Sequence, residues 1–163
     1  MRFRIVQRFA GELDRVQEAF IDPAFIEQLA TLPKLGAPAM LDRRDDGDDV
    51  HLRVRYRFTG DVNAAVRRVV DPKRLTWVEE STLHRPTHRT TWHIVPDHYG
   101  GMIRCAGTFQ LEPESEKTVR VAEAEIKVSV PLVGGKVERA IVSGLEEHAE
   151  LEERVMNQWL RAP

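Results

Sequence analysis

The stretch from Pro131 to Leu160, PLVGGKVERAIVSGLEEHAELEERVMNQWL, decides how the rest of the chain is read. Stepped at about 100° per residue, one stripe collects Val137, Ala140, Ile141, Gly144, His148, Leu151, Val155 and Trp159. The opposite side collects Arg139, Glu146, Glu150, Glu153, Arg154 and Asn157. The pattern predicts one continuous amphipathic helix over residues 136–160, on the order of 35 Å long at about 1.5 Å per residue. Two features of the stripe are unusual for a plain core helix. Small residues, Ala140 and Gly144, stand at its middle, and the titratable His148 lies one turn further on. A glycine inside a helix costs about 1 kcal/mol relative to alanine, so Gly144 points to close approach or to empty space.

Upstream the pattern is mostly period two. Phe3, Ile5 and Phe9 alternate with Arg2, Arg4 and Arg8 as in a half-buried strand. After Gly11, residues 12–20 carry Leu13, Val16, Ala19 and Phe20 at helical spacing, and Asp22-Pro23 reads as an N-cap with proline at the first position of a second short helix. Pro33, Gly36 and Pro38 end that helix. An acidic Asp45-Asp46-Gly47-Asp48 turn then precedes the clearest strand, with Val50, Leu52, Val54, Tyr56 and Phe58 on one face and His51, Arg53, Arg55 and Arg57 on the other. Residues 64–69 suggest one helical turn. Further strands follow over 75–83, 88–95, 102–111 and 118–130. An antiparallel sheet with one apolar face must bury it, and the C-terminal helix is the only element long enough to cover it. The expected fold class is α+β: a curved antiparallel sheet of roughly six or seven strands wrapped around that helix, with two short helices after the first strand.

This order resembles the helix-grip superfamily, also called START-like or SRPBCC, which includes polyketide cyclases, lipid carriers and hormone receptors. The resemblance spans the chain and is carried by FAGELDRVQEAFIDPAF at 9–25 and VPLVGGKVE at 130–138, the latter similar to an uncharacterised bacterial branch. It implies a hydrophobic cavity between sheet and helix, and it transfers no active site.

Composition narrows the function classes. A length of 163 residues at 42% hydrophobic content reads as one domain over 1–163 that needs no staple. Its one cysteine, Cys105, has no internal partner, which fits a reducing compartment. The charged run at residues 1–9 is not a signal peptide, and no segment approaches the roughly 20 apolar residues of a membrane span. A formal charge of -2 offers nothing general to nucleic acid or anionic membrane. The expectation is a cytoplasmic protein whose partner is a small hydrophobic molecule, with no nucleic acid, no stable membrane insertion, no cofactor and no metal.

Candidate binding residues follow from the faces. His148 is either a polar handle in the cavity or a hydrogen-bonded core histidine, the latter being the commoner circumstance. Glu79 shares a face with Leu75 and Trp77. Inward, it would be a carboxylate of raised pKa; on an edge or bulged strand, the more frequent case, it would reach solvent. Tyr56, Trp77, Trp92 and Phe109 would form flat walls for a ligand or simply pack, and Gly144 would supply room. His84, His88, His93 and His98 share neither parity nor metal spacing. The row His51, Arg53, Arg55 and Arg57, with Arg89, is expected to pair with acidic neighbours such as Glu123 and Glu125. Gly134-Gly135 is too little for a phosphate loop. No catalytic residue is assigned. The reading is a binder of a small hydrophobic or amphipathic ligand, lipid- or polyketide-like. The alternatives are a cyclase or dehydratase-like enzyme using His148 or Glu79, and a protein-interaction module using the basic row or a sheet edge.

Overall fold

The computed structural model describes residues 1–33, 35–59, 64–68 and 70–162. Strand β1 (Arg2–Phe9) leads into α1 (Leu13–Phe20) and α2 (Pro23–Gln28). Strands β2 (Leu35–Asp46) and β3 (Asp49–Phe58) come next, then the single turn α3 (Ala64–Arg67). Strands β4 (Thr76–His84), β5 (Arg89–Pro96), β6 (Ile103–Glu114) and β7 (Lys117–Val128) precede the long α4 (Gly134–Trp159). Part of the turn predicted over 64–69 is α3; residues 60–63 and 69 lie outside the described residues. The local signals act as expected. Asp22 Oδ1 accepts from Ala24 N at 2.8 Å at the start of α2, a cap worth about 1 kcal/mol. Gly47 turns the β2–β3 hairpin with φ +62°, the left-handed region that glycine enters freely.

All seven strands form one antiparallel sheet in the order β1-β7-β6-β5-β4-β3-β2. It curls around α4 in a helix-grip fold. Gly134 begins α4 where a Cβ would lie 2.3 Å from the Val128 carbonyl oxygen. Only glycine allows that approach, so Gly134 serves packing, whereas a Cβ on Gly135 would meet only Arg139 Nη1 at 3.8 Å. Glu138 fastens the same end by accepting from Val128 N at 2.9 Å. At the far end Glu153 accepts from Arg8 N at 2.9 Å and Asn157 from Ala10 N at 2.6 Å. These side chains, assigned above to the solvent face, cover the backbone at the end of edge strand β1.

The buried side of α4 is therefore rotated from the predicted stripe. Ala140 is exposed, while Val142, Ala149, Glu152 and Met156 are buried. Hydropathy alone puts every glutamate outside. Here Glu138 and Glu152 are inside because each meets donors of matching geometry. Val137 and His148 are buried, and Ile141 and Val155 partly so. Beyond the middle of the helix, Phe9, Phe20, Phe25 and Trp159 form a chain of edge-to-face rings at 5.3, 6.0 and 5.7 Å, and Met156 is fully buried beside them.

The outer basic row pairs differently from expectation. Register sets Arg53 opposite Glu80 (3.1 Å), and Arg55 reaches Asp97 (2.6 Å). Glu123 and Glu125 instead face Arg4 and Arg2 of β1. Such exposed pairs contribute about 0–1 kcal/mol each.

Candidate functional site

A cavity of about 260 Å³ lies between the inner face of the sheet and α4. That is just below the roughly 300–1,000 Å³ usual for small-molecule sites, so it suits a ligand of modest size. Strand parity and helix phase bring all seven predicted residues to its wall: Tyr56 on β3, Trp77 and Glu79 on β4, Trp92 on β5, Phe109 on β6, and Gly144 and His148 on α4. Tyr56 stacks on Trp77, its cross-strand partner, at 5.9 Å; Trp92 stacks on Phe109 at 5.4 Å. A Cβ added to Gly144 would meet only Phe58 Cε2, at an ordinary 3.8 Å. The glycine borders room.

Strand β4 is paired on both sides in continuous register, with Glu79 opposite Val54 and Ile94. The edge-strand reading of Glu79 is thus overturned, because a central strand in regular register turns alternate residues toward the buried face of the sheet. Burial first, and the Glu152 carboxylate second, push the Glu79 carboxyl up to about 7, against a smaller opposing effect of Arg120. Among the described residues no hydrogen-bond donor or cation contacts it. Tyr56 is pushed well above its usual value by burial and by Glu79. Burial likewise pushes the Cys105 thiol up to about 12.

His148 is 8% exposed, and its Nδ1 has no hydrogen-bond partner among the described residues; the same holds for Trp92 Nε1, also on the cavity wall. The reading of His148 as a hydrogen-bonded core residue therefore does not describe Nδ1. Burial lowers its pKa, opposed by Glu152 and assisted by Arg120.

Sequence reasoning missed a second polar group at one end of the cavity. Arg120 (β7), Gln7 (β1) and Glu152 (α4) are all buried there. The Arg120 guanidinium donates to Glu152 and, through Nε at 2.8 Å, to Gln7 Oε1. Gln7 Nε2 donates to Glu152 Oε2 at 3.0 Å and to the Ala149 carbonyl at 2.7 Å. The guanidinium also lies 4.0 Å from the Phe20 ring centroid and 4.8 Å from that of Phe109. Burial would raise the Glu152 carboxyl, but Arg120, His148 and the hydrogen bonds from Gln7 and Arg120 outweigh it and hold it below the usual range. The signal was present in parity: Gln7 falls between Ile5 and Phe9, Arg120 alternates with Ala122 and Ala124, and Glu152 follows His148 by one turn.

The five histidines outside the cavity have separate partners, His51 meeting Thr82. His84 meets Asp49, His88 meets Gln17, His93 meets Glu80, and His98 meets Arg74. Among the described residues no three His, Cys, Asp or Glu side chains converge in a way that could hold a metal ion, and no helix is long and apolar enough to cross a membrane.

A curled antiparallel sheet, a gripped helix and a cavity between them define a helix-grip protein. The chain belongs to the family described as protein of unknown function (DUF2505), whose model matches residues 4–160. Its fold is shared with TTHA0849 of Thermus thermophilus (TM-score 0.69, 17% identity, covering 98% of this chain and 97% of that one). It is shared also with the ZhuI aromatase/cyclase of Streptomyces sp. R1128 (TM-score 0.65, 12% identity, 98% and 93%). One half of the di-domain aromatase/cyclase BexL of the BE-7585A biosynthetic pathway also aligns (TM-score 0.63, 12% identity, 97% and 45%). No curated protein matches the chain.

Proposed function

We propose that this protein is a START-like member of the helix-grip superfamily that binds a small hydrophobic or amphipathic molecule in the cavity. The observation that carries this reading is the pair of buried polar atoms on the cavity wall, Trp92 Nε1 and His148 Nδ1, that have no partner among the described residues. An unmatched buried polar group costs about 1–3 kcal/mol, and a ligand bearing a hydrogen-bond acceptor would remove that cost at Trp92, whose indole nitrogen only donates. The aromatase/cyclase neighbours support a polyketide-like ligand class. Catalysis is the weaker reading, because among the described residues the ionisable groups of the cavity wall, Glu79 and His148, are not hydrogen-bonded to each other or to a third group that would orient them. An interaction module would be expected to fill this space with its own side chains.

Prodan, a neutral naphthalene ketone, tests the proposal by quenching tryptophan emission as it enters. Binding is expected to weaken roughly tenfold in His148→Ala, about the worth of one directed hydrogen bond, with little change in thermal unfolding. Gly144→Leu should also weaken it while the protein stays folded, since the added side chain enters open space. Failure of prodan to bind the wild-type protein, or unfolding of Gly144→Leu through overpacking, would count against a ligand cavity.

A further inference from the structure

The charges facing the cavity narrow the ligand further, granted the binding reading above. Arg120 and Glu152 satisfy each other, with Gln7 between them. Tyr56 from β3 and Cys105 from β6 are held neutral by burial, as is His148 from α4. Glu79 remains. Its carboxyl faces the cavity without a donor or cation among the described residues, so whatever charge the wall presents to a ligand is negative. Beside it on the same sheet face is the stacked Tyr56–Trp77 pair, one cross-strand row away. Aromatic faces attract cations and do not attract anions. A carboxylate beside such a pair, in a site whose other charged groups pair with each other, is matched by an ammonium group on an apolar body. A fatty-acid carboxylate is its opposite, since two like charges would meet out of water.

We propose that the ligand of this cavity carries a protonated amine, which pairs with the Glu79 carboxylate against the Tyr56 and Trp77 rings.

Three probes of one shape, n-octylamine, n-octanol and n-octanoate, separate the possibilities by displacement of prodan. At pH 8 the amine is expected to bind about tenfold or more tighter than the alcohol, the gain of a charge-assisted hydrogen bond over a neutral one, and octanoate should bind least. Glu79 is largely ionised at pH 8 and largely protonated at pH 6 if it titrates at about 7. Octylamine stays charged throughout, so its affinity should fall roughly tenfold between those pH values, while octanol stays level. In Glu79→Gln the advantage of the amine should vanish with octanol unchanged. The wild-type comparison stands without the variant. Octanol binding as tightly as octylamine at pH 8, or octylamine unaffected by Glu79→Gln, overturns the amine assignment and leaves the cavity reading intact. A protein that binds neither prodan nor octanol overturns both.

Discussion

Arg120→Ala is expected to lower stability by about 3–5 kcal/mol, the usual consequence of removing one partner from a buried ion pair. For a chain of this length that corresponds to a fall of roughly 6–20 °C in Tm. The loss has two sources. Glu152, 8% exposed, keeps only Gln7 as a donor among the described residues, and Phe20 and Phe109 lose the cation that covers their faces. The pH dependence should change sign as well. In the wild-type protein the Glu152 carboxyl is held low, so its contribution is present above its unfolded pKa and is lost as pH falls through the folded value. Without Arg120, burial dominates and raises it, and stability would fall as pH rises. The double variant Arg120→Met/Glu152→Leu should regain most of the loss, because no charge is then desolvated. Urea unfolding of the wild type and the two variants measures this; a loss below about 1 kcal/mol in Arg120→Ala would mean the pair behaves as an exposed one.

The same network marks the boundary of what could be read in advance. Apolar periodicity placed six of the seven strands and the long helix, because alternation at period two and a stripe at period 3.6 are imposed by burial, which acts on many residues at once. Strand β2, which contains Gly36 and Pro38 and pairs irregularly with β3, is announced only by its hairpin turn at Gly47. It also brought Tyr56, Trp77, Glu79, Trp92, Phe109, Gly144 and His148 to one wall. Gln7, Arg120 and Glu152 escaped because a polar residue at an inward position is legible only with its partners, and these are 113 and 32 residues apart in the chain. Register, not composition, brings them together: Gln7 stands directly opposite Arg120 across β1 and β7. The phase of α4 was misread for a related reason. Glu138 and Glu152 define its buried side as firmly as Val142 or Met156 do, and a hydropathy stripe counts them on the wrong side.

Glu79→Gln is expected to stabilise the protein, and only above neutral pH. Burial raises the Glu79 carboxyl from an ordinary 4.5 to about 7. A group whose folded pKa is raised contributes stability that is complete below its unfolded pKa and is lost as pH rises through the folded one. Wild-type stability should therefore decline between about pH 4.5 and 7 on this account, by at most about 3 kcal/mol at 1.36 kcal/mol per unit. Glutamine cannot ionise, so the variant should match the wild type at pH 4 and exceed it at pH 8, by up to roughly 6–12 °C in Tm. Equal curves at both pH values would mean Glu79 reaches water. A variant less stable at pH 8 would mean its carboxylate has a stabilising partner inside the protein. The expected outcome describes a residue that weakens the fold where it is charged, the kind of local cost that is retained at functional sites. An amine in the cavity would reverse that cost by pairing with the carboxylate. Saturating octylamine should thus raise the wild-type Tm at pH 8, scarcely at pH 5, and by no more than octanol does in Glu79→Gln at either pH.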